Sequence, residues 1–195
     1  MRFRTAVLGF VALAALVASY AAANEFSVNV HRHDPYKRYK FRVKWDGKYV
    51  PGVMFVSGLT RTTEVATYRK GNEASGMTHT PGPTTYAPII LERGRTHDDA
   101  FETWVNKVWN FGAGLGSESS LADYRKDIMI ELYNEAGQLA MAWKVYNCWP
   151  SKYSAVTEFD AASPDLAIES LTLEHDGWER DTAVAEPTEP TYTTP

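Results

Sequence analysis

Apolar and charged side chains alternate along the segment that begins at Lys40. Residues Lys40–Trp45 place a cationic side chain at every second position and an apolar one between them, a period typical of a half-buried β-strand. Asp46-Gly47 follows as a hairpin turn that leads into Lys48–Val50. The pattern predicts that Arg42 and Lys44 lie on the face turned to solvent or to another subunit. The alternative is that this face contacts nucleic acid.

The same alternation returns in the second half of the chain. Arg125–Tyr133 and Leu139–Trp149 both alternate, and Asn134–Gly137 between them has the composition of a turn, so the pair is predicted to form an antiparallel hairpin. A further strand is predicted at Ala167–His175. Shorter strands are predicted at Gly52–Val56, Glu64–Arg69 and Tyr86–Glu92. Strands and helices do not alternate as in a parallel sheet, so the fold class is mainly β.

One segment has a helical period. Between Asp98 and Phe111, large apolar residues recur at i, i+3, i+4, i+7 and i+8, namely Phe101, Trp104, Val105, Val108 and Trp109. Thr96 and Asp99 predict the start of the helix and Gly112 its end. This aromatic stripe is predicted to pack against a sheet, and a cofactor-binding aromatic box is the less favoured alternative.

The segment Arg61–Thr85 contains few large apolar residues. Its glycines and prolines are Gly71, Gly76, Pro81, Gly82 and Pro83. The segment is interpreted as a long connection with little capacity to form core. Such connections are commonly functional or ordered by a partner, and a mobile surface loop is the alternative.

Both ends of the chain differ in composition from its middle. Residues 1–23 resemble a secretory signal, with two arginines, an apolar run over 6–17 and Ala21-Ala22-Ala23 as a cleavage site. An upstream start or a non-exporting extension is the alternative interpretation. Residues 182–195 are rich in proline and threonine and are predicted to be a flexible tail. The folded domain is therefore expected over 24–181, without a membrane-spanning segment.

Composition restricts the functions available to the chain. It has 195 residues, a formal net charge of −4 and one cysteine. The acidic balance argues against a general electrostatic binder of nucleic acid. A single cysteine cannot form an internal disulfide or a cysteine-rich zinc site, so an apolar core must stabilise the fold.

Candidate chemical groups are sparse. The spacing of His31 and His33 would place both on one face of a strand, with Asp34 as a third candidate ligand, but a metal site needs further convergent ligands. Cys148 lies within a predicted strand and is expected to be a buried, inert thiol. Gly112–Gly116 resembles a phosphate-binding loop only superficially, because it follows a helix and has no P-loop lysine. No catalytic, cofactor-binding or metal-ligating residues are therefore predicted.

A series of short segments, in order and covering the domain from Asp34 to Asp181, resembles the tail tube proteins of contractile phages and related extracellular injection systems. The segments are Asp34-Pro35-Tyr36, Phe41–Gly47, Val56–Leu59, Thr62–Val65, Leu91–Gly94, Thr96-His97-Asp98, Trp104, Val108-Trp109-Asn110, Tyr124–Ile128, Tyr133–Gly137, Cys148–Ser151 and Leu173–Asp181. The resemblance extends distantly to the ring-forming tube protein of type VI secretion.

This resemblance implies a small antiparallel β-barrel or sandwich with one packed helix at about 98–111. It also implies homohexameric rings that stack into a hollow tube, inside a contractile sheath and on a baseplate. DNA or protein cargo would pass through the lumen without sequence-specific binding, and nothing would be catalysed. Such a protein is assembled in the cytoplasm and incorporated into a virion or injection particle. A genuine signal at 1–23 would instead favour a periplasmic or secreted β-domain that binds a ligand or partner.

Overall fold

The computed structural model describes most of the chain after its first segment. The described residues are 34–69, 71, 76–110, 112, 123–162, 164–188 and 190. The chain divides into two units, 1–35 with 188–195 and 36–187. All of the elements below belong to the second unit.

The described residues form ten strands and one helix. They are β1 (Phe41–Trp45), β2 (Lys48–Tyr49), β3 (Val53–Val56), β4 (Arg61–Tyr68), β5 (Thr78–Tyr86), β6 (Ile89–Gly94), α1 (Ala100–Val108), β7 (Lys126–Tyr133), β8 (Leu139–Ser154), β9 (Ile168–Glu174) and β10 (Gly177–Arg180). The paired strands are all antiparallel. The predicted mainly β fold with one helix is confirmed.

The long strand β8 belongs to two sheets. Its first part pairs with β7 and β10 in sheet A, which has the order β2-β1-β7-β8-β10, and its second part pairs with β9 in sheet B, which continues through β6 to β3. Between the two parts, Asn147 adopts a positive φ of 54°. Its N–H donates to Asp127 at 2.9 Å and its side-chain amide to Asp176 at 2.8 Å. Asparagine tolerates this left-handed conformation, so β8 changes direction here.

One apolar cluster joins the two sheets and the helix. Sheet A contributes Val43, Trp45, Ile128 and Val145, sheet B contributes Ile89, Leu91, Leu171 and Leu173, and α1 contributes Phe101 and Trp104. The Trp45 ring lies 5.0 Å from that of Trp104 and 5.8 Å from that of Phe101, between centroids. The helix therefore covers the end of the core at which β1 finishes.

The helix begins and ends differently from the prediction. Asp98 and Asp99 form the cap of the helix: Asp99 is the N-cap residue, without a capping hydrogen bond from its side chain, and the Asp98 carboxylate accepts the Ala100 N–H at 3.0 Å. The Thr96 hydroxyl accepts the Asp98 N–H. α1 ends at Val108, because Trp109 is extended, with φ of −151°. Trp109 consequently points away from the core and is exposed, so its predicted place in the buried stripe is wrong.

The segment Arg61–Thr85 is mostly a two-stranded ribbon, in which β4 and β5 pair along their length. The strand predicted at Glu64–Arg69 corresponds to β4, and the low capacity of the segment to form core agrees with the exposure of β4, whereas β5 was not predicted. The register shifts between Thr63 and Val65, opposite the prolines of β5, and such irregularities are where a strand accepts proline. At Gly82, a Cβ would lie 3.2 Å from the Glu64 carbonyl oxygen, which explains the glycine. We call the described residues between 61 and 86 the ribbon.

Candidate assembly surfaces

The ribbon exposes nearly all of its surface. Every residue of β4 is exposed, and Val65, Tyr68 and Met77 are large apolar side chains in contact with solvent. Within the described residues, β4 and β5 pair only with each other. Because a two-stranded sheet without packing is marginally stable by itself, the ribbon is a surface suited to be covered by another protein.

The base of the ribbon is firmly attached to the domain. The Ala87 N–H donates to the Thr60 carbonyl at 3.1 Å, and the Ala87 carbonyl lies 3.0 Å from Nε2 of His175. The rings of Tyr86 and His175 are 5.7 Å apart. The backbone at Gly177 lies against Tyr86, so closely that a Cβ there would be 3.3 Å from its ring. These contacts fix the direction in which the ribbon leaves sheet B.

A buried ionic cluster connects α1 to sheet B. Arg93 on β6 and Glu169 on β9 are directly opposite in register and fully buried, and the Arg93 Nε donates to the Glu169 carboxylate. Arg93 also donates to the Asp98 carboxylate at 2.7 Å and to its carbonyl at 2.8 Å. Its guanidinium lies 4.2 Å from the Phe101 ring centroid. One arginine therefore holds the strand, the helix cap and the first turn of the helix together.

The second oxygen of Glu169 is also occupied. Arg95 donates to it at 2.8 Å and the Tyr153 hydroxyl at 3.0 Å. The hydrogen bond to Glu169 raises the pKa of Arg95, and burial raises the pKa of Tyr153. The backbone N–H of Ala100, followed by Arg93, lowers the pKa of the Asp98 carboxyl. Each charge is compensated, so the cluster suits a structural role better than proton transfer.

The outer face of sheet A has a second polar cluster around Glu131. Glu131 is 4% exposed and accepts hydrogen bonds from Tyr133 at 2.6 Å and Tyr49 at 3.1 Å. Arg42, its register partner on β1, lies 5.3 Å from the Tyr49 ring centroid and 5.0 Å from that of Tyr133. The prediction that Arg42 lies on an outward face is confirmed. Lys44 is half-buried, with its ammonium 5.7 Å from the Tyr49 ring centroid.

An apolar cavity of about 760 Å³ opens where β1 begins. Its walls include Phe41, Leu59, Leu132, Trp143 and Trp178. Three exposed apolar side chains, Tyr39, Met54 and Phe55, also line it. The buried indole N–H of Trp178 has no hydrogen-bond partner among the described residues. We call this feature the apolar cavity.

Few of the groups considered for chemistry lie in the described part of the chain. His31 and His33 lie outside the described residues, as do residues 1–23 and Ala113–Gly116. Within the described residues, no three His, Cys, Asp or Glu side chains form a group that could hold a metal ion. Cys148 is buried, as predicted, and burial raises the pKa of its thiol to about 12. In the part of the chain that the structure describes, no helix is long and apolar enough to cross a membrane.

Comparison with known proteins decides the family. The family model described as T4-like virus tail tube protein gp19 matches residues 37–179. The chain belongs to this tail tube family. It is therefore related to structural components of tubes, in agreement with the resemblance seen in the short sequence segments.

Two solved structures similar to this tail tube family member are from the anti-feeding prophage and from an extracellular contractile injection system. The tube-terminating cap of the anti-feeding prophage is 28% identical, with a TM-score of 0.64, over 82% of this chain and 97% of the other. The sheath–tube complex of an extracellular contractile injection system in its extended state contains a chain 27% identical, with a TM-score of 0.64, over 81% of this chain and 99% of the other.

Hcp1 from Flavobacterium johnsoniae is a more remote neighbour, 17% identical with a TM-score of 0.49 over 73% of this chain and 94% of that one. No curated protein sequence matches the chain significantly. The family assignment thus rests on the family model, and the fold shared with the two solved structures agrees with it.

Proposed function

We propose that the protein is the inner tube subunit of a contractile tail or injection particle, with homohexameric rings stacked into a tube. The observation that carries the proposal is the ribbon, which is anchored at its base but exposed along both strands. A closed ring requires each copy to present two different complementary surfaces, and stacking requires a second pair. The ribbon supplies candidates for those surfaces, as do the edges of β2, β3 and β10 that pair with no further strand among the described residues.

The lumen of this tube would conduct DNA or protein cargo. The chain carries a formal net charge of −4, so its copies do not provide a strongly cationic channel on balance. A wall rich in lysine and arginine would retain DNA through counterion release, whereas a neutral or acidic wall lets it slide. The domain responsible is 24–181, and residues 182–195 form an appended tail. In the described part of that tail, Glu186 accepts a hydrogen bond from the Tyr36 hydroxyl at 3.3 Å.

The partners and location follow from this role. A sheath surrounds the tube, a baseplate starts it, and the subunit is assembled in the cytoplasm before it enters the particle. The similar chain in a sheath–tube complex supports these partners. The subunit acts by self-assembly and catalyses no reaction.

Electron microscopy of the purified full-length protein tests the proposal. We expect rings or tubes in negative stain at high protein concentration. The variant Val65→Asp with Met77→Asp should lose them, because it places charge on the apolar ribbon surface, while its circular dichroism spectrum stays unchanged. Val65→Thr is the matched control and should assemble. A wild-type protein that stays monomeric, also with baseplate components added, would contradict the proposed function.

The apolar cavity favours a second candidate, an exported domain that binds an apolar ligand. Sequencing of the native protein's N-terminus separates the two functions. A mature chain beginning at Asn24 in a periplasmic or culture fraction, without particles, would support export. Recovery of the chain in sheathed particles would support the tube.

A further inference from the structure

The connection between β8 and β9 has an unusual surface. We call residues 155–167 the acidic loop; its described residues from Thr157 to Ala167 are all exposed. Phe159 is 88% exposed and Leu166 is 73% exposed. Glu158, Asp160 and Asp165 lie beside them, and no lysine or arginine occurs from 153 to 179. Large apolar side chains held in water among carboxylates are typical of an interaction surface.

The apolar cavity has the complementary properties. Its walls are mainly aromatic and aliphatic. Arg38 also lines it; this residue is exposed and lies close to Lys37 and Lys40 in the sequence. The one carboxylate that lines it, Glu131, already accepts two tyrosine hydroxyls. A volume of about 760 Å³ is large enough for more than one side chain.

The loop and the cavity are not in contact within one copy. None of the described residues of the acidic loop lines the apolar cavity, and Phe159 and Leu166 remain in water. The two features are separated by the strands of sheet B, in which Phe55 pairs with Glu92 and Glu92 with Ser170. Both surfaces are therefore open to a second copy of the chain.

We propose that Phe159 and Leu166 of one copy insert into the apolar cavity of a second copy, with the loop carboxylates facing Arg38. This contact rests on the proposed function, and it specifies one pair of the unlike surfaces that self-assembly requires. Burial of a phenylalanine removes about 150–250 Å² from water, enough to make it an anchor. Attraction between the loop carboxylates and Arg38 at the rim of the cavity sets the orientation of the inserted loop and excludes the reverse orientation.

Charge and anchor variants test the contact in the full-length protein. Phe159→Asp should weaken association by about a hundredfold, as loss of an anchor does, and Arg38→Glu by about tenfold. Arg38→Glu combined with Asp160→Lys should recover most of the tenfold loss. Analytical ultracentrifugation measures association. Lys152→Glu, an exposed cation on sheet B, is the control and should associate as the wild type does.

A mixing experiment tests whether the contact joins two different surfaces, the loop of one copy and the cavity of another. Phe159→Asp copies keep a working cavity, and Phe55→Asp copies keep a working loop. Mixed together, they should form pairs that grow no further through this contact. Two variants that show no pairing in the mixture would contradict a loop-to-cavity contact.

A peptide of residues 155–167 separates this contact from the proposed function. It should bind the full-length Phe159→Asp variant, change its tryptophan fluorescence through Trp143 and Trp178, and bind about tenfold more weakly when Arg38→Glu is added. Binding without any rings in the wild type would support the contact and oppose the tube function. Rings in the wild type without peptide binding, or rings that persist in Phe159→Asp, would overturn the contact and leave the tube function intact. Binding of a peptide of residues 24–33 in its place would assign the cavity to the chain's own N-terminal segment and would also overturn it.

Discussion

Glu169 lies opposite Arg93 across the β6–β9 pair, and both charged side chains are fully buried. Each stands at a strand position that alternation assigns to the core, with Leu91 on one strand and Leu171 on the other. A buried ion pair costs desolvation, which good geometry and additional hydrogen bonds offset. Here the additional bonds come from Arg95, Tyr153 and the helix cap.

Removal of one partner should be costly. We expect Glu169→Gln to lower the free energy of unfolding by roughly 3–5 kcal/mol, because the Arg93 charge stays buried without its carboxylate. Urea denaturation measures the change. Glu102→Gln removes the exposed partner of Arg95, 3.4 Å away, and should cost less than about 1 kcal/mol. Equal losses in the two variants would disprove the special role of Glu169.

The Asp98 carboxylate should make stability depend on pH in acid. Its folded pKa lies below the ordinary value of 3.8. Its stabilising contribution is therefore fully present above the unfolded pKa and is lost as the pH falls through the folded pKa. We expect the difference in unfolding free energy between wild type and Asp98→Asn to shrink between pH 5 and about pH 2. A difference that stays constant over this window would refute the assignment.

Cys148 should be unreactive while the protein is folded. Burial raises its thiol pKa to about 12, so little thiolate is present at pH 8 and reagent access is blocked. Iodoacetamide at pH 8 should leave the native protein unmodified over hours and label it within minutes in urea, as seen by mass spectrometry. Fast labelling of the native protein would show that this part of the core opens.

Trp104 should contribute more to stability than its neighbour Trp109. Trp104 is buried against Trp45, and its indole N–H donates to the Tyr124 carbonyl at 2.7 Å. Trp104→Ala should cost about 3–5 kcal/mol in thermal or urea unfolding. Trp109→Ala, at an exposed position beyond the helix end, should cost below about 1 kcal/mol. The opposite order would mean that the aromatic stripe packs differently.

Alternation predicted the half-buried strands well. β1, β7 and β9 each have one apolar and one polar face, so period two locates them within one or two residues. The prediction for β8 ended at Trp149, but the strand continues to Ser154. Pro150 is followed by a register shift, which is how a strand accommodates a proline. β10 was not predicted, because four residues are too few to show a period.

Features that depend on pairing between strands far apart in the sequence could not be predicted from the local pattern of apolar and polar residues. Residues Tyr86–Glu92 were predicted as one strand, but the chain ends β5 at Tyr86 and begins β6 at Ile89. The ionic cluster did leave a signal: Arg93 and Glu169 interrupt the apolar positions of two strands with opposite charges. Only the pairing of those strands brings the charges together. The apolar cavity left no such signal, because its walls come from separate parts of the chain.

Since a single strand, β8, serves both sheets, neither sheet can be completed without the other. Its outer neighbour β10 is contributed by residues 177–180, near the end of the chain. During synthesis, the ribbon emerges long before the strands that hold its base. We therefore expect the ribbon to acquire its fixed direction only after His175 and Gly177 have been synthesised, so that the exposed strands β4 and β5 are oriented late in folding.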